Sequence, residues 1–416
     1  TVEQALYGLP TSANRFHAHL ADNLITLGFR PTRFDHDIWM RLSRDKETYE
    51  YIGTHTDDLL VVGKDPTGLI ELLQKTYTIK NIGPPTFHLG CDYVQDKDGA
   101  WFVGTKTHVL EALRKAKHIL GKDEIGKEGT PMSSTLKPEL DESDLLNVDG
   151  HRKFQQLIGM AQWLITCGRI DIAYSVVSLS RFSAAPRKGH IFAAERIFKY
   201  LNSEPEKWIK IDPSEHRPPA ELTTPKEIQA EGTWKHIYPD ATEEFDPKAP
   251  KPRGKEISTA VYFDSNFAHD EVTRRSVTGL IGYVGNTPVS WISKRQGAIA
   301  TRTYSAEMCA GKMAAEEAMS IRFMLRSLGV PVTRPTLCAG DNLSMLTSTS
   351  QVGSPLKHKN VAVAYHFMRE CSVAGIILIK KIHTDFNPSD PSTKALEKGS
   401  FHGHYKYIYS NPVFRQ

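Results

Sequence analysis

Four acidic residues in the C-terminal part of the chain have the types and positions to hold metal ions. Asp264 ends a predicted strand, Glu307 is expected in the first turn of a long helix, Asp341 ends the next strand, and Asp390 stands where a last helix should begin. Ligand sites form at strand ends where an α/β sheet changes direction. Oxygen ligands without Cys or His suit Mg²⁺ or Mn²⁺. Two such ions roughly 4 Å apart can activate a water and stabilise the leaving oxygen of a phosphodiester.

A second interpretation of these acids stays open. Each of them could be a solvated side chain or a helix cap, and Asp341-Asn342 in particular could cap a helix. A separate pair, Asp57-Asp58, is predicted at a hairpin turn. Because neighbouring strand residues point to opposite faces, this pair needs a third acid to bind Mg²⁺. A solvated turn is the alternative interpretation of the pair.

The pattern after residue 257 predicts the elements that would position the four acids. A strand is expected at 258–264, and Gly285-Asn286 predicts a tight turn between two further strands. A long helix with one apolar face should stop at Gly329. The other predicted elements are strands at 276–284, 288–294, 336–339 and 375–383, helices at 355–372 and 391–397, and a stretch at 298–303 that continues the third strand or pairs separately.

Upstream of residue 257 the chain mixes helical and strand patterns. Helices are predicted at 13–27 and through most of 150–202, and strands at 49–53 and 59–62 on either side of the acid pair. Residues 203–256 are rich in Pro, Glu and Lys, which is typical of a linker or a loosely folded insertion.

Composition limits the class of protein. Hydrophobic residues make up 40% and charged residues 24%, as in globular domains. No apolar run approaches the ~20 residues that cross a bilayer, so no membrane partner is expected. The five cysteines form no CxxC pair, which disfavours a zinc site and fits a reducing compartment. The net charge of +4 permits a nucleic-acid partner but hardly argues for one. The start at Thr1 suggests a fragment or a processed product.

Ten or so short motifs, in order, resemble one family. YFDSN, RRSVTGLIGYVGNTPVSWISKRQ, TYSAEM, GDNLSM and NPSDPSTK look like the ribonuclease H domain of copia-type (Pseudoviridae-like) retrotransposons. QALYGLPTSANRF, FHLG, TPMSS, LIGMAQWLITCGRIDIAYSVVSLSRF and HIFAAERIFKYL look like parts of the reverse transcriptase of the same Pol polyproteins. The resemblance covers nearly the whole chain except residues 203–256.

This resemblance implies a fold of the α/β and α+β classes. It implies a partial reverse-transcriptase palm with a helical connection, and then a ribonuclease H-like domain with a mixed five-stranded sheet flanked by helices. The implied segments are a palm at 1–125, a helical thumb or connection at 126–202, a linker or insertion at 203–256, the ribonuclease H-like domain at 257–398, and a C-terminal tail at 399–416.

The resemblance also implies an activity, namely hydrolysis of RNA paired to DNA with two Mg²⁺ or Mn²⁺ ions. Asp264 and Asp341 would hold both or either ion, Glu307 would ligate one and orient the water, and Asp390 would complete the second site. His383 would assist product release, with an exposed strand-end histidine as the alternative.

The polymerase part of the resemblance is incomplete. Asp57 and Asp58 match the paired metal-binding aspartates of the palm, but His55-Thr56 replaces the usual aromatic and small apolar residues. The third acid of the family lies upstream of the ALYGL motif, where this chain begins. Polymerase activity from this chain alone is therefore not expected.

Basic residues near the predicted meander are candidates for binding phosphates of an RNA–DNA hybrid. They are Arg274, Arg275, Lys294, Arg295 and Arg302. Trp291 could pack in the core or lie against a sugar, and the core is favoured. The expected partners are the hybrid, recognised by groove shape and 2′-hydroxyls, and the remainder of the Pol polyprotein. The family resemblance implies cytoplasmic virus-like particles, with the nucleus as the alternative.

Three hypotheses remain at this point. The first is an active hybrid nuclease, which the four acids favour. The second is a non-catalytic nucleic-acid-binding remnant, which the altered palm motif and the changed stretch 359–362 favour. The third is an integrase of the same fold group, and both the lack of a His/Cys zinc motif and the order of the motifs argue against it.

Overall fold

The computed structural model describes residues 10–223, 236–351, 354–356 and 358–413. Two compact units share the chain: residues 1–89, 245–256 and 322–333 form one, and residues 90–244, 257–321 and 334–416 form the other. The first residues of the QALYGLPTSANRF motif, 4–9, lie outside the described part, as do residues 224–235 of the predicted insertion. No helix in the described ranges combines the length and apolar character of a membrane span.

The first unit is a small antiparallel sheet with helices. Its sheet has the strand order β1-β2-β3-β4. Its elements are α1 (Pro10–Thr26), β1 (Arg30–Pro31), β2 (Ile38–Leu42), β3 (Tyr49–His55), β4 (Asp58–Val62), α2 (Pro66–Gln74) and β5 (Phe87–His88). Leu20 and Leu24 of α1 pack with Trp39, Ile52 and Leu73 in one core. The predicted helix at 13–27 and the two predicted strands are confirmed.

The hairpin between β3 and β4 carries the predicted acid pair. His55 pairs with Asp58, so Thr56 and Asp57 form a two-residue turn. Thr56 has φ 54°, the left-handed conformation that such turns require. Both aspartates are exposed, so the predicted position of the pair at a turn is confirmed.

The second unit begins with strands and a group of helices. These are β6 (Cys91–Gln95), β7 (Trp101–Gly104), α3 (Lys106–Leu120), α4 (Val148–Thr166), α5 (Ala173–Ser180), α6 (Lys188–Ser203) and β8 (Trp208–Lys210). Strands β6, β7 and β8 pair antiparallel. Phe154, Leu157, Ala161 and Leu164 are fully buried along one face of α4, as their helical spacing predicts. The helical character of 150–202 is confirmed.

A mixed five-stranded sheet forms the rest of the second unit, which confirms the predicted fold class. The strand order is β11-β10-β9-β12-β13. Strand β12 runs parallel to both β9 and β13, whereas β9, β10 and β11 form an antiparallel meander. The elements are β9 (Thr259–Asn266), β10 (Val277–Val284), β11 (Thr287–Arg295), α7 (Thr303–Ser327), β12 (Thr336–Gly340), α8 (Leu343–Ser350), α9 (Ala362–Val373), β13 (Ile377–Lys381) and α10 (Lys398–Tyr405). The last residues of α7, from Arg322, are counted with the first unit.

Local turn chemistry explains several of these boundaries. Gly285 has φ 57° and forms the tight β10–β11 turn with Asn286, as predicted. Gly329 has φ 72° just after the end of α7, where the sequence predicts the helix stop. Asn342 caps α8, because its side chain accepts a hydrogen bond from the N–H of Met345.

Three predicted elements differ from the structure. Residues 298–303 form no strand pairing, because the chain leaves the sheet after Arg295 and crosses an exposed loop. The helix predicted at 355–372 begins only at Ala362, after a 3₁₀ turn at Lys359–Val361. The helix predicted at 391–397 is wrong: a 3₁₀ turn at Asp390–Ser392 precedes a helix that starts at Lys398. Pro391 suits the start of a helical turn. The residues after it do not repeat apolar side chains at helical spacing, so a longer helix is not favoured there.

A buried ion pair joins the helical segment to the C-terminal residues of the same unit. Arg169 donates two hydrogen bonds to Asp171, at 2.9 and 2.7 Å, and both side chains are fully buried. The hydroxyl of Tyr200 donates to Asp171 at 2.7 Å, and that of Tyr409 lies 3.2 Å from the same carboxylate. A buried charge this well paired becomes very costly once its partner is removed.

We expect Asp171→Ala to lower the free energy of unfolding by about 3–5 kcal/mol, because it leaves the Arg169 guanidinium buried without its counter-charge. Urea unfolding followed by circular dichroism measures the change. Asp149→Ala, which breaks an exposed pair with Lys153 on α4, is the control and should leave stability nearly unchanged. An equal effect of the two substitutions would contradict this role for the buried pair.

Candidate metal centre

Three of the four predicted acids converge. Carboxylate oxygens of Asp264, Glu307 and Asp341 lie within 4.8 Å of one another. Asp264 stands near the end of β9 and Asp341 directly follows β12, and these neighbouring strands are parallel, so their carboxyl ends share one edge of the sheet. Glu307 is the fifth residue of α7, just past the first turn in which the sequence placed it. This edge is where the strand order reverses, as the sequence predicts.

The three acids are crowded and mostly out of water. Asp264 is 5% exposed and Glu307 3%, while Asp341 is half-buried. Burial, and then the negative charges of Asp341 and Asp390, raise the pKa of Asp264 to about 7. Burial, and then the charges of Asp264 and Asp341, raise the pKa of Glu307 well above its usual range, and the adjacent Ser265 opposes the rise only in part. A proton or a cation therefore binds favourably here.

The donor set fits a hard divalent cation. Oε2 of Glu307 is buried and has no hydrogen-bond partner among the described residues. A buried carboxylate oxygen without a partner is costly unless something positive binds it. All three ligands offer oxygen, which suits Mg²⁺ or Mn²⁺. The part of the chain that the structure describes contains no other cluster of this kind.

Asp390, the fourth predicted acid, lies beside this cluster but is already paired. It is 3% exposed, and its Oδ1 accepts a hydrogen bond from Nζ of Lys394 at 2.5 Å. Its Oδ2 lies 3.8 Å from Nε2 of His404. The charge of Asp390 still reaches Asp264, whose pKa it helps to raise. The structure thus brings three acids together and places the fourth next to them, where the ammonium group of Lys394 already pairs with it.

Gly279 makes this arrangement possible, and sequence reasoning missed it. In β10 it pairs directly opposite Asp264. A Cβ at this position would lie 2.7 Å from the carbonyl oxygen of Ser389 and 2.8 Å from Cγ2 of Thr393. Only glycine lets the segment that carries Asp390 pack against the strand. A glycine in the middle of a predicted strand is the available signal, because it often marks a close approach of backbone.

Two hydroxyl groups and one ammonium group near the acids were also missed. Thr384 donates to Oδ2 of Asp341 at 2.6 Å, and Thr393 donates to Oδ2 of Asp264 at 2.8 Å. These bonds fix the orientation of the two carboxylates. Lys394 stands four residues after Asp390, a spacing that favours ion pairs within a helical turn and could have revealed the interaction.

Most of the predicted basic residues lie near the end of the meander where β9 leads into β10. Arg274 and Arg275 are in the β9–β10 loop, Lys294 and Arg295 end β11, and Arg302 precedes α7. Arg274, Lys294 and Arg302 are exposed, whereas Arg275 and Arg295 are half-buried.

The other predicted residues do not join the acid cluster. His383 is exposed, and its Nδ1 lies 3.5 Å from Asp385. Asp57 and Asp58 belong to the first unit and form no group of three candidate ligands within the described ranges. Trp291 packs against the core and donates from Nε1 to the carbonyl oxygen of Ile165 at 2.9 Å, so its predicted place in the core is confirmed.

Comparison with known proteins gives several relatives named as retrotransposon proteins. The chain is 25% identical over 406 residues to "Retrovirus-related Pol polyprotein from transposon RE1" of Arabidopsis thaliana, an alignment that covers 96% of this chain and 24% of the relative. It is 23% identical over 414 residues to the corresponding polyprotein from transposon TNT 1-94 of Nicotiana tabacum, covering 96% of this chain and 27% of the relative. No protein-family model matches the chain.

A shorter relative matches part of the chain. "Putative transposon Ty5-1 protein YCL074W" of Saccharomyces cerevisiae is 27% identical over 199 residues, which is 47% of this chain and 62% of the relative. The chain spans about a quarter of the length of the plant polyproteins that it matches. The family resemblance of the motifs is confirmed: over nearly its whole length, this chain is homologous to a part of the Pol polyproteins of copia-type retrotransposons.

Proposed function

We propose that residues 257–398 hydrolyse the RNA strand of an RNA–DNA hybrid with two Mg²⁺ or Mn²⁺ ions, as part of a retrotransposon Pol polyprotein. The observation that carries the proposal is the convergence of Asp264, Glu307 and Asp341, with oxygens within 4.8 Å of one another, at the switch edge of the mixed sheet. Similarity to retrovirus-related Pol polyproteins supports it, because the motifs that resemble this family imply the same activity.

Each side chain has a distinct part in this proposal. Asp264, Glu307 and Asp341 would hold the ions, which when bound lower the pKa of a coordinated water and stabilise the leaving oxygen. Thr393 and Thr384 each donate a hydrogen bond that restrains the carboxylate of Asp264 or Asp341. These hydrogen bonds act before any ligand arrives, so the site needs little rearrangement.

Asp390 would complete the second ion site, as the family resemblance implies. Its carboxylate lies next to Asp264 but is held by Lys394. The ammonium group of Lys394 bonds the fourth acid directly, and it acts on Asp264 and Asp341 only through its charge. His383 is too exposed to be placed in the cluster, and its assisting role stays a prediction.

The substrate proposal rests on the basic residues around the meander. Arg274, Lys294 and Arg302 are exposed and could contact phosphates of both strands. Recognition of a hybrid would depend on groove shape and 2′-hydroxyls rather than on base sequence. The remainder of the Pol polyprotein is the proposed protein partner, and cytoplasmic virus-like particles are the proposed location.

A non-catalytic nucleic-acid-binding remnant is the second candidate. The exposed pair Asp57-Asp58, without a third ligand among the described residues, favours it for the palm part. The pairing of Asp390 with Lys394 also favours it. Both candidates bind nucleic acid, so cleavage is the property that separates them.

We expect the chain to cut the RNA strand of a labelled RNA–DNA duplex in Mg²⁺ or Mn²⁺, and Asp264→Asn to lower the rate about 10²–10³-fold, because loss of a ligand removes several kcal/mol of transition-state stabilisation. Gel separation of the cleaved RNA measures the rate. The exposed Asp123→Asn is the control and should cleave like the wild type. Survival of the duplex with all three proteins would leave the remnant as the better description.

Burial of the acids and the repulsion among them also predict a dependence of stability on pH. Asp264 has an ordinary pKa of 3.8 and a pKa of about 7 in the folded protein, so the folded state binds a proton more readily than the unfolded state. The resulting stability is full below about pH 4 and is lost as the pH rises through about 7. Glu307 shifts in the same direction.

In metal-free buffer, we therefore expect the wild type to lose roughly 1–3 kcal/mol of unfolding free energy between pH 5 and pH 8 relative to Asp264→Asn. Urea unfolding in EDTA measures the difference. Addition of Mg²⁺ at pH 8 should stabilise the wild type and leave the variant much less affected. Parallel pH profiles for the two proteins would show that the acids do not share one site.

A further inference from the structure

The loop between β9 and β10 carries two of the candidate phosphate-binding arginines. It spans residues 267–276 and begins shortly after Asp264. Arg274 is exposed and has φ 56°, a left-handed conformation that is uncommon for a residue with a side chain. The N–H of Arg274 donates to the carbonyl oxygen of Asp270 at 2.8 Å, and the N–H of Asp270 donates to that of Arg275 at 3.2 Å. The backbone near the arginines is therefore held in one shape.

Asp270 organises this loop from inside. It is 2% exposed, and its Oδ1 accepts hydrogen bonds from the N–H groups of Thr273 at 2.7 Å and Val272 at 3.1 Å. Its Oδ2 accepts a hydrogen bond from Arg181 and lies 3.4 Å from Nη1 of Arg295. A buried carboxylate is stable only with such partners, so the loop conformation depends on them.

Arg181 reaches the loop from the helical segment, directly after α5. Its side chain also bonds Oε2 of Glu139 at 3.0 Å, and Oε1 of Glu139 accepts the N–H of Glu271 at 3.1 Å. Nearby, the hydroxyl of Tyr174 in α5 is hydrogen-bonded to His269 of the loop at 2.5 Å. Elements outside the ribonuclease H-like segment thus hold the loop at three consecutive residues, 269–271.

We propose that Arg181 and Asp270 are positioning residues: through their ion pair the helical segment holds the β9–β10 loop so that Arg274 and Arg275 meet phosphates of the nucleic acid beside the acid cluster. This inference rests on the proposed function for the choice of ligand. It assigns the helical segment a positioning part in nucleic-acid binding, because neither residue of the pair touches the ligand.

Binding in EDTA tests the proposal apart from cleavage. The full chain is titrated with a fluorescently labelled RNA–DNA duplex at several salt concentrations. We expect Arg274→Gln with Arg275→Gln to weaken binding and to reduce the salt slope by about 2, because each arginine neutralises roughly one phosphate. Arg181→Gln should weaken binding about 3- to 10-fold. Lys188→Gln, which removes one charge from an exposed pair with Asp144 in the same helical segment, should bind like the wild type.

Combination of the substitutions separates positioning from direct binding of the ligand. If Arg181 acts through the loop, Arg181→Gln added to the double arginine variant should weaken binding little further, because the effects of coupled residues are not additive. Full additivity would overturn the proposal. Trypsin cleavage after Arg274 and Arg275, quantified by mass spectrometry, should accelerate several-fold in Arg181→Gln, whereas an unchanged rate would also overturn it.

Two further arms keep the result interpretable. Arg181→Lys keeps the charge but removes the second hydrogen bond of the guanidinium group, so its effect in both assays should be smaller than the effect expected for Arg181→Gln. It replaces Arg181→Gln as the test variant if Arg181→Gln does not fold. Wild-type binding and trypsin rates in Arg181→Lys would count against the proposal. If the variants behave as expected while no protein cuts the duplex in Mg²⁺, the nuclease proposal fails and the positioning role stands.

Discussion

Mutual repulsion among buried carboxylates is the constraint on which the rest of the second unit depends. Asp264 and Glu307 are almost fully buried beside Asp341, and the pKa of Asp264 is raised to about 7 as a result. A fold selected for stability alone would not collect these charges. The fully buried strand β9 and the parallel β12 hold the acids in place, so the stability of the sheet offsets the strain of the site.

The segment after β13 shows how the fold limits that repulsion. Asn387 donates to the carbonyl oxygen of Phe263 at 2.9 Å, which fixes the segment on β9, and Gly279 leaves room for its backbone. The same interactions bring Asp390 next to Asp264, but Lys394 comes with it. The site therefore has one acid that is hydrogen-bonded to an ammonium group and three that are not. Lys394 bonds Asp390 directly and acts on Asp264 and Asp341 only through its charge, so the three-acid part attracts a cation more strongly.

Much of this architecture could be predicted from local patterns in the sequence. The meander followed from the strands predicted at 258–264, 276–284 and 288–294 and from the Gly285-Asn286 turn, and the three convergent acids followed from their places at element ends. Long-range partners explain the rest. The role of Gly279 depends on residues about 110 positions later, and no local signal shows that 298–303 leaves the sheet. The helix expected at 391–397 failed because that segment is held by packing against β9 and β10, which competes with local helical preference.

The helical segment and the mixed sheet belong to one compact unit although the family motifs suggest separate parts. Trp291 of β11 donates to Ile165, and Arg181 binds Asp270 of the β9–β10 loop. Tyr409 joins the C-terminal residues to the buried pair of Arg169 and Asp171. Separation of the segments would exchange these interactions for ones with water and would expose the apolar surface of their shared core. Separating the sheet and its acids from the helical segment therefore costs free energy. That cost gives a physical reason for the helical segment to remain with the sheet.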